Sequence, residues 1–237
     1  MLLTMSDCSC LKRPKIWSNF AITLDGKITT RNHTPANFTT SEDKKRLTWI
    51  RSLADALVVG RATLTKDNMA MGLPNAALRE ERVARGQREY PLRVIISNSG
   101  QIPVDLKVFQ KMVAPVVIFA SEQMPEENRN ALADLATIHL FKDAVDLTEA
   151  MRILSLEHEV RSVCCEGGPS LFRAMLAEKL VDELYLTLSP QIFGGVDAPG
   201  LTGSGPQFLT DEVPLALEYF EQVGDELFLK YQVVHGS

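Results

Sequence analysis

The sequence predicts an α/β protein, one domain built on a mixed, mostly parallel sheet with helices on both faces and a C-terminal antiparallel hairpin. Three observations lead there. Ala56–Val59, Val94–Ile96 and Val116–Phe119 are short apolar or β-branched runs bounded by Gly, Pro, Ser or Asn, the pattern of parallel strands buried on both faces. Segments of helical character alternate with them, as the crossovers of a parallel sheet require. Two final runs, Leu215–Val223 and Leu227–Val234, are joined through Gly224-Asp225, residues suited to a tight antiparallel turn.

Taken in order, a mobile tail is expected over Met1–Pro14, and the domain over 15–237. Ile16–Leu24 reads as the first strand, turning at Asp25-Gly26 and coming back through Lys27–Thr30. Ser41-Glu42-Asp43 supplies an N-cap with an acidic first turn, and Leu47, Ile50 and Ala54 recur at helical spacing, so a helix is predicted over roughly 41–53. Asn75–Arg88, charged and rich in helix formers, is either a surface helix or a lid, and the surface helix is favoured. Pro125–Leu135 opens with a proline suited to the first helical position, and Leu147, Met151 and Leu154 line one face of a further helix. Val163–Glu166 is a strand, Ser170–Glu178 a helix, and Glu183–Leu188 a strand that ends before Pro190.

Composition narrows the function classes. The 237 residues are 45% apolar and carry 25 basic against 30 acidic side chains, a net charge of −5. Without a basic run there is no electrostatic footprint for a phosphodiester backbone, so nucleic acid is not expected as a partner. No apolar run approaches the ~18 residues that cross a bilayer, so no membrane is expected and a cytoplasmic location is. Cys8, Cys10, Cys164 and Cys165 lack zinc spacing, and free thiols are expected. His33, His139, His158 and His235 are scattered and fall in no motif, so no metal site is expected.

Open α/β sheets bind ligands where strands give way to helices. Two such turns are informative. In Glu166-Gly167-Gly168-Pro169-Ser170-Leu171 two glycines let a ligand approach the backbone, and Ser170 can cap the next helix and leave its first N–H groups facing an anion. This is not the Gly-x-Gly-x-x-Gly fingerprint, and a plain turn is the alternative. In Val59-Gly60-Arg61-Ala62-Thr63 a buried strand reaches Gly60, Arg61 offers a planar fork for phosphate, and Thr63 adds a hydroxyl, with Asp67 one turn on. Two anion-binding turns exceed what one phosphate needs, and suit opposite halves of a dinucleotide.

Five blocks in order carry a resemblance: Asn19–Ile28, Ala56–Gly60 with Thr63 and Asp67, Glu166–Leu171, Leu180–Leu184, and Pro190–Gly195. Over about 16–234 the chain resembles the reductase of riboflavin biosynthesis, the C-terminal half of the bifunctional deaminase-reductase, whose fold is dihydrofolate-reductase-like. The resemblance implies NADPH, or NADH in some members, as hydride donor. It implies 5-amino-6-(5-phosphoribosylamino)uracil as substrate, reduced at C1′ of the ribose through an opened imine, and a homodimer. It assigns Asp67 and Glu166 to catalysis, and Asn19, Asp25, Arg51 and Glu166 to substrate. Ala21, Gly60, Arg61, Thr63, Ser97, Asn98, Gly167, Gly168, Pro169, Ser170, Leu171 and Phe172 fall to the cofactor, Arg61 at its 2′-phosphate and Ser97 with Asn98 at its adenosine end.

The chain also departs from that pattern. After Asp67 the family commonly continues Asp-Pro-x-Leu-Thr and then an arginine gripping the substrate phosphate, where this sequence has Asn68-Met69-Ala70-Met71-Gly72-Leu73-Pro74. Phe38 stands for a tryptophan and Asn19 for a lysine, the latter as in archaeal-type members. No His-x-Glu paired with Pro-Cys-x-x-Cys occurs, so zinc-dependent deamination is not expected. Two alternatives stand beside the reductase: the same chemistry on a pterin, another imine or a carbonyl compound, and a non-catalytic nucleotide-binding protein on the same scaffold.

Overall fold

The computed structural model describes residues 13–29, 38–204 and 209–235. Most of the expected tail lies outside them, as do Cys8, Cys10 and His33. In chain order the elements are β1 (Lys15–Thr23), α1 (Ser41–Leu53), β2 (Ala56–Gly60), α2 (Arg61–Asp67), α3 (Ala76–Ala84), β3 (Leu92–Ser97), α4 (Lys107–Gln110) and β4 (Val116–Ser121). They continue with α5 (Glu126–Leu132), β5 (Thr137–Phe141), α6 (Leu147–His158), β6 (Ser162–Cys165), α7 (Pro169–Ala177), β7 (Glu183–Ser189), β8 (Leu215–Val223) and β9 (Glu226–Val233).

The strands form one nine-stranded sheet in the order β5-β4-β3-β2-β6-β1-β7-β9-β8. Strands β1 to β7 pair in parallel, whereas β9 runs antiparallel to β7 and β8. The sheet is thus mixed and mostly parallel with a terminal hairpin, as predicted. Alternation along each strand splits the core between two faces. Val58, Val94, Val117 and Phe119 pack with Met151, Leu154, Phe172 and Met175 of α6 and α7. Leu57, Val59, Ile95 and Ile118 face the other way, onto Ile50, Leu64 and Leu132 of α1, α2 and α5. Among the described residues no helix is long and apolar enough to cross a membrane, and Cys164 and Cys165 are free and buried.

Several local expectations are corrected. Thr40, not Ser41, caps α1, accepting from the Glu42 and Asp43 N–H groups while its own hydroxyl donates to Glu226 at 2.6 Å. Pro125 is the N-cap of α5 rather than its first residue, and that helix ends at Leu132. Ser170 does not cap α7: Gly168 occupies the N-cap and Pro169 the first turn, a position where the missing proline N–H costs nothing. Strand β5 and the single turn α4 went unpredicted.

The segment 75–88 is a docked helix, not a lid. Arg82 of α3 is fully buried, and its guanidinium donates to the carbonyls of Ser52 at 2.9 Å, Ala54 at 2.5 Å and Arg88 at 2.9 Å. Arg85 and Gln87 add bonds to Ser52 and Leu53. The last carbonyls of α1 have no partners within their own helix, and a cation there also meets the negative end of the helix dipole. Burial lowers the Arg82 pKa to about 10, and the group stays charged at neutral pH. Replacing it leaves buried carbonyls unsatisfied, so Arg82→Ala should lower the unfolding free energy by about 3 kcal/mol in urea titration. A midpoint unchanged from the parent would refute this account of how α3 is held.

Candidate active site

β2 and β6 are parallel neighbours, with Val58 opposite Cys165, so the turns leaving them emerge at one edge of the sheet. Backbone pairing continues beyond the strands. The Glu166 N–H donates to Val58 O at 2.9 Å, and the Gly60 N–H to Gly167 O at 2.8 Å. Two turns expected to grip opposite halves of a ligand are therefore stitched into one ledge. Glycine is needed there for space and for conformation: Gly167 adopts φ +82°, and a Cβ on Gly168 would lie 2.3 Å from the Thr63 hydroxyl. The Gly167–Gly168 peptide bond is cis. The first i→i−4 bond of α7 is Phe172 N–H to Gly168 O at 3.0 Å, which leaves the N–H groups of Ser170 and Leu171 ahead of the helical ladder.

A cleft of about 540 Å³ opens over this ledge. Asn19 and Ala21 of β1, Asp43, Lys44, Leu47 and Arg51 of α1, Thr63, Lys66 and Asp67 of α2, and Glu166 with Gly168 to Leu171 line it. The α1 set follows from helix geometry, since Asp43, Leu47 and Arg51 recur at i+4 and share one face. Likewise Thr63 and Asp67 lie one above the other on α2. The volume and the convergence of few polar groups on an apolar wall suit a small organic ligand.

The cleft handles charge in two ways. Arg51 and Glu166 form a bidentate pair, Nε to Oε1 and Nη2 to Oε2 at 2.6 Å, with the Glu166 side chain 6% exposed. Burial disfavours the charged Arg51, but Glu166 outweighs it and the net shift is upward. Asp67 is different. Burial raises its pKa, opposed only in part by Lys66, so it binds a proton more readily than an ordinary aspartate. A carboxyl of this kind can serve as a proton donor, while the paired Glu166 can orient a hydroxyl-bearing ligand.

Of the residues singled out by sequence, Asn19, Ala21, Arg51, Gly60, Thr63, Asp67, Glu166, Gly168, Pro169, Ser170 and Leu171 meet in this cleft. Others do not. Arg61 stands half-exposed at the start of α2, outside the cleft lining. Phe172 is 1% exposed, and its ring packs on Phe20 in the core at 4.8 Å between centroids. Ser97 Oγ accepts from the Gly100 N–H at 3.1 Å, and Asn98 Oδ1 from the Val145 N–H at 2.9 Å, so both brace the exit of β3. Asp25 is a loop staple: its carboxylate accepts from Thr23 at 2.5 Å, Gly194 N–H at 2.6 Å and Phe193 N–H at 3.2 Å, and the Thr23 bond leads the set that lowers its pKa to about 2. Lys44 and Lys66 were missed. They sit on exposed faces and belong to no motif, and only the fold, which brings α1 and α2 to one cleft, places both there.

The contact between Gly168 and Thr63 is testable by a mutant cycle. Gly168 has φ −69°, which any residue adopts, so alanine there meets only the clash. Gly168→Ala should destabilise the fold by about 1–3 kcal/mol, and Thr63→Ala in the same chain should recover much of the loss. Additive effects of the two substitutions in thermal unfolding would refute the proximity.

Comparison with known proteins agrees with this geometry. The family model described as the RibD C-terminal domain matches residues 14–229. The 2,5-diamino-6-ribosylamino-4(3H)-pyrimidinone 5′-phosphate reductase of Methanothermobacter thermautotrophicus is 30% identical over 226 residues, covering 93% of this chain and 99% of the relative. The protein of the same name from Archaeoglobus fulgidus is 28% identical, covering 90% and 95%. Among solved structures, a pyrimidine reductase-like protein of Corynebacterium diphtheriae superposes with TM-score 0.82 at 22% identity, over 94% of this chain and 93% of the other. Together with the turns that meet over β2 and β6, the match along nearly the whole sequence shows that the chain belongs to the RibD C-terminal domain family, the reductases of riboflavin biosynthesis.

Proposed function

We propose that the chain reduces the ribosylamino group of a 5′-phosphorylated aminopyrimidine to a ribitylamino group, with NADPH as reductant and NADH as the alternative. The observation that carries the reading is one cleft holding both Asp67, whose proton affinity burial raises, and the Arg51–Glu166 pair, beside a glycine ledge. The full-length relatives are named for the 2,5-diamino-4(3H)-pyrimidinone. The uracil implied by the family resemblance differs from it at a ring position remote from C1′. Both ring forms are therefore within the proposal, the first favoured by those names.

The ledge fits a dinucleotide by its shape: Gly168 leaves room that a Cβ would fill, and the Ser170 and Leu171 N–H groups precede the helical ladder. Thr63 adds a hydroxyl, and no ion pair occupies Arg61 among the described residues, which leaves it able to meet a 2′-phosphate. When bound, a reduced nicotinamide supplies a hydride. The protein's tasks are to hold the opened sugar and to provide the proton. The carboxyl of Asp67 donates its proton to the imine nitrogen as C1′ is reduced, and regains one from water. Glu166, fixed by Arg51, accepts from sugar hydroxyls, and the apolar wall of Ala21, Leu47 and Leu171 excludes water. Lys44 and Lys66 supply positive charge for the phosphate, in place of the arginine that the 68–74 segment lacks.

The assay follows loss of reduced nicotinamide with each ring form and with its dephosphorylated analogue. Turnover of a phosphorylated ribosylaminopyrimidine is expected, with kcat falling as pH rises because Asp67 is active when protonated. Asp67→Asn should lower kcat about tenfold or more and remove that decline. Lys44→Ala with Lys66→Ala should raise KM about tenfold for the phosphorylated form only. Reduction of a dihydropterin or simple imine with neither pyrimidine turned over would establish the alternative substrate, and binding of the nucleotide without any turnover would make the protein non-catalytic.

We also propose a homodimer. Strand β8 is an edge of the sheet, solvent-facing along nearly its whole length, and shows Leu215, Leu217, Tyr219 and Phe220, the last 65% exposed. An apolar free edge of this kind invites a second copy. Light scattering should give twice the chain mass, and Phe220→Glu should weaken association at least tenfold. A monomeric parent chain at micromolar concentration would overturn the assembly without touching the enzymatic reading.

A further inference from the structure

The structure brings together two histidines that the sequence keeps apart. His139 lies on β5, the edge strand opposite β8, with its ring against Phe119 at 5.2 Å and 27°. His158 ends α6 and meets His139 edge-on, ring centroids 5.8 Å apart at 82°. Glu157 precedes it. One ligand atom from each of the three residues lies within 4.8 Å of the other two. We propose that His139, Glu157 and His158 form a binding site for a divalent transition-metal ion of the zinc class, cross-linking the edge strand β5 to the end of α6.

Two features support the assignment. First, the Nε2 atoms of both imidazoles are enclosed and have no hydrogen-bond partner among the described residues. Buried polar atoms of this kind are rare, and an ion bound by both rings would give them a partner. Second, the donor set is two imidazoles and a carboxylate, which suits zinc and its neighbours and does not suit magnesium or calcium. An exposed Glu157 supplies the anionic ligand and leaves a fourth position open to water.

The surrounding charges are mixed. Glu157 favours a cation and the nearby Arg88 opposes one. The geometry needs a modest adjustment. Bonds of about 2.0–2.1 Å in a tetrahedron place ligand atoms about 3.4 Å apart, so the three must close in from their present spacing by side-chain rotation. His158 is the last residue of α6, and Glu159 after it takes a left-handed conformation at φ +58°. None of the three residues lines the cleft of the proposed reductase site, so this inference stands apart from that reading.

Cobalt(II) is the probe, titrated into the full chain. Saturation at one equivalent with the visible bands of a tetrahedral nitrogen–oxygen site, displaced by zinc, is the expected result, with a rise in melting temperature as metal is added. His139→Gln and His158→Gln should each weaken binding at least 100-fold and Glu157→Gln about tenfold, with reductase turnover unchanged. His158 and Glu157 sit at a helix end, so their variants test the site even if His139→Gln fails to fold. No saturable cobalt spectrum, or one that survives His158→Gln and Glu157→Gln, would overturn the proposal.

Discussion

The hydrogen bond from the Gly60 N–H to Gly167 O is the constraint on which the site depends. Its net worth is only about 1 kcal/mol, but its effect is positional. It extends the β2–β6 ladder past the sheet edge and so fixes the start of α2 against the start of α7. Only a parallel pairing of these two strands does this, because only then do both turns leave on the same side. The buried runs on either side, Leu57 to Val59 and Val163 to Cys165, are fully enclosed and hold the pair in register. Thr63 then packs on Gly168 so closely that no larger residue fits.

From this ledge the remaining parts of the cleft follow. Helix α1 crosses beside it and delivers Arg51 to Glu166, the first residue after β6. A buried arginine without a partner would be expensive, as would a buried glutamate, so each fixes the other. Asp67 has no such partner among the described bonds, and burial raises its pKa. The two carboxylates are therefore set for different work by their surroundings: one is held still, and the other is free to exchange a proton.

Much of the fold was legible because buried parallel strands leave a dense apolar signature. Ala56–Val59 and Val116–Phe119 are found almost at their observed bounds. Strand β5 left none: Thr137–Phe141 is an edge strand, partly exposed, with a histidine at its centre, so neither continuous apolarity nor clean alternation marks it. The ledge was legible as two glycine turns, but their contact was not, because sequence order says nothing about β2 lying next to β6. Asp25 shows a different ambiguity. An aspartate at a turn reads equally as ligand contact or as turn chemistry, and here three donors claim its carboxylate. Phe172 likewise sits within the loop motif while its ring belongs to the core.

The segment after Asp67 shows what replaces a missing ligand contact. Asn68 ends α2 in a left-handed conformation, φ +43°, and its side-chain oxygen accepts from the Lys107 N–H at 2.9 Å, so its polar atoms are spent on the chain itself. Met71 and Leu73 follow, 2% and 1% exposed, and Met71 packs into the core face that holds Leu64 and Ile95. Met69 lines the cleft, but the segment has no cationic side chain to offer there. On the function proposed above, positive charge for a bound phosphate comes from elsewhere, and Lys44 and Lys66 are the lysines that line the cleft. Lysines are point charges on flexible stems, whereas arginine grips with a rigid fork. On the function proposed above, a phosphate held this way would be attracted more than oriented, leaving the orientation of the sugar to the Arg51–Glu166 pair.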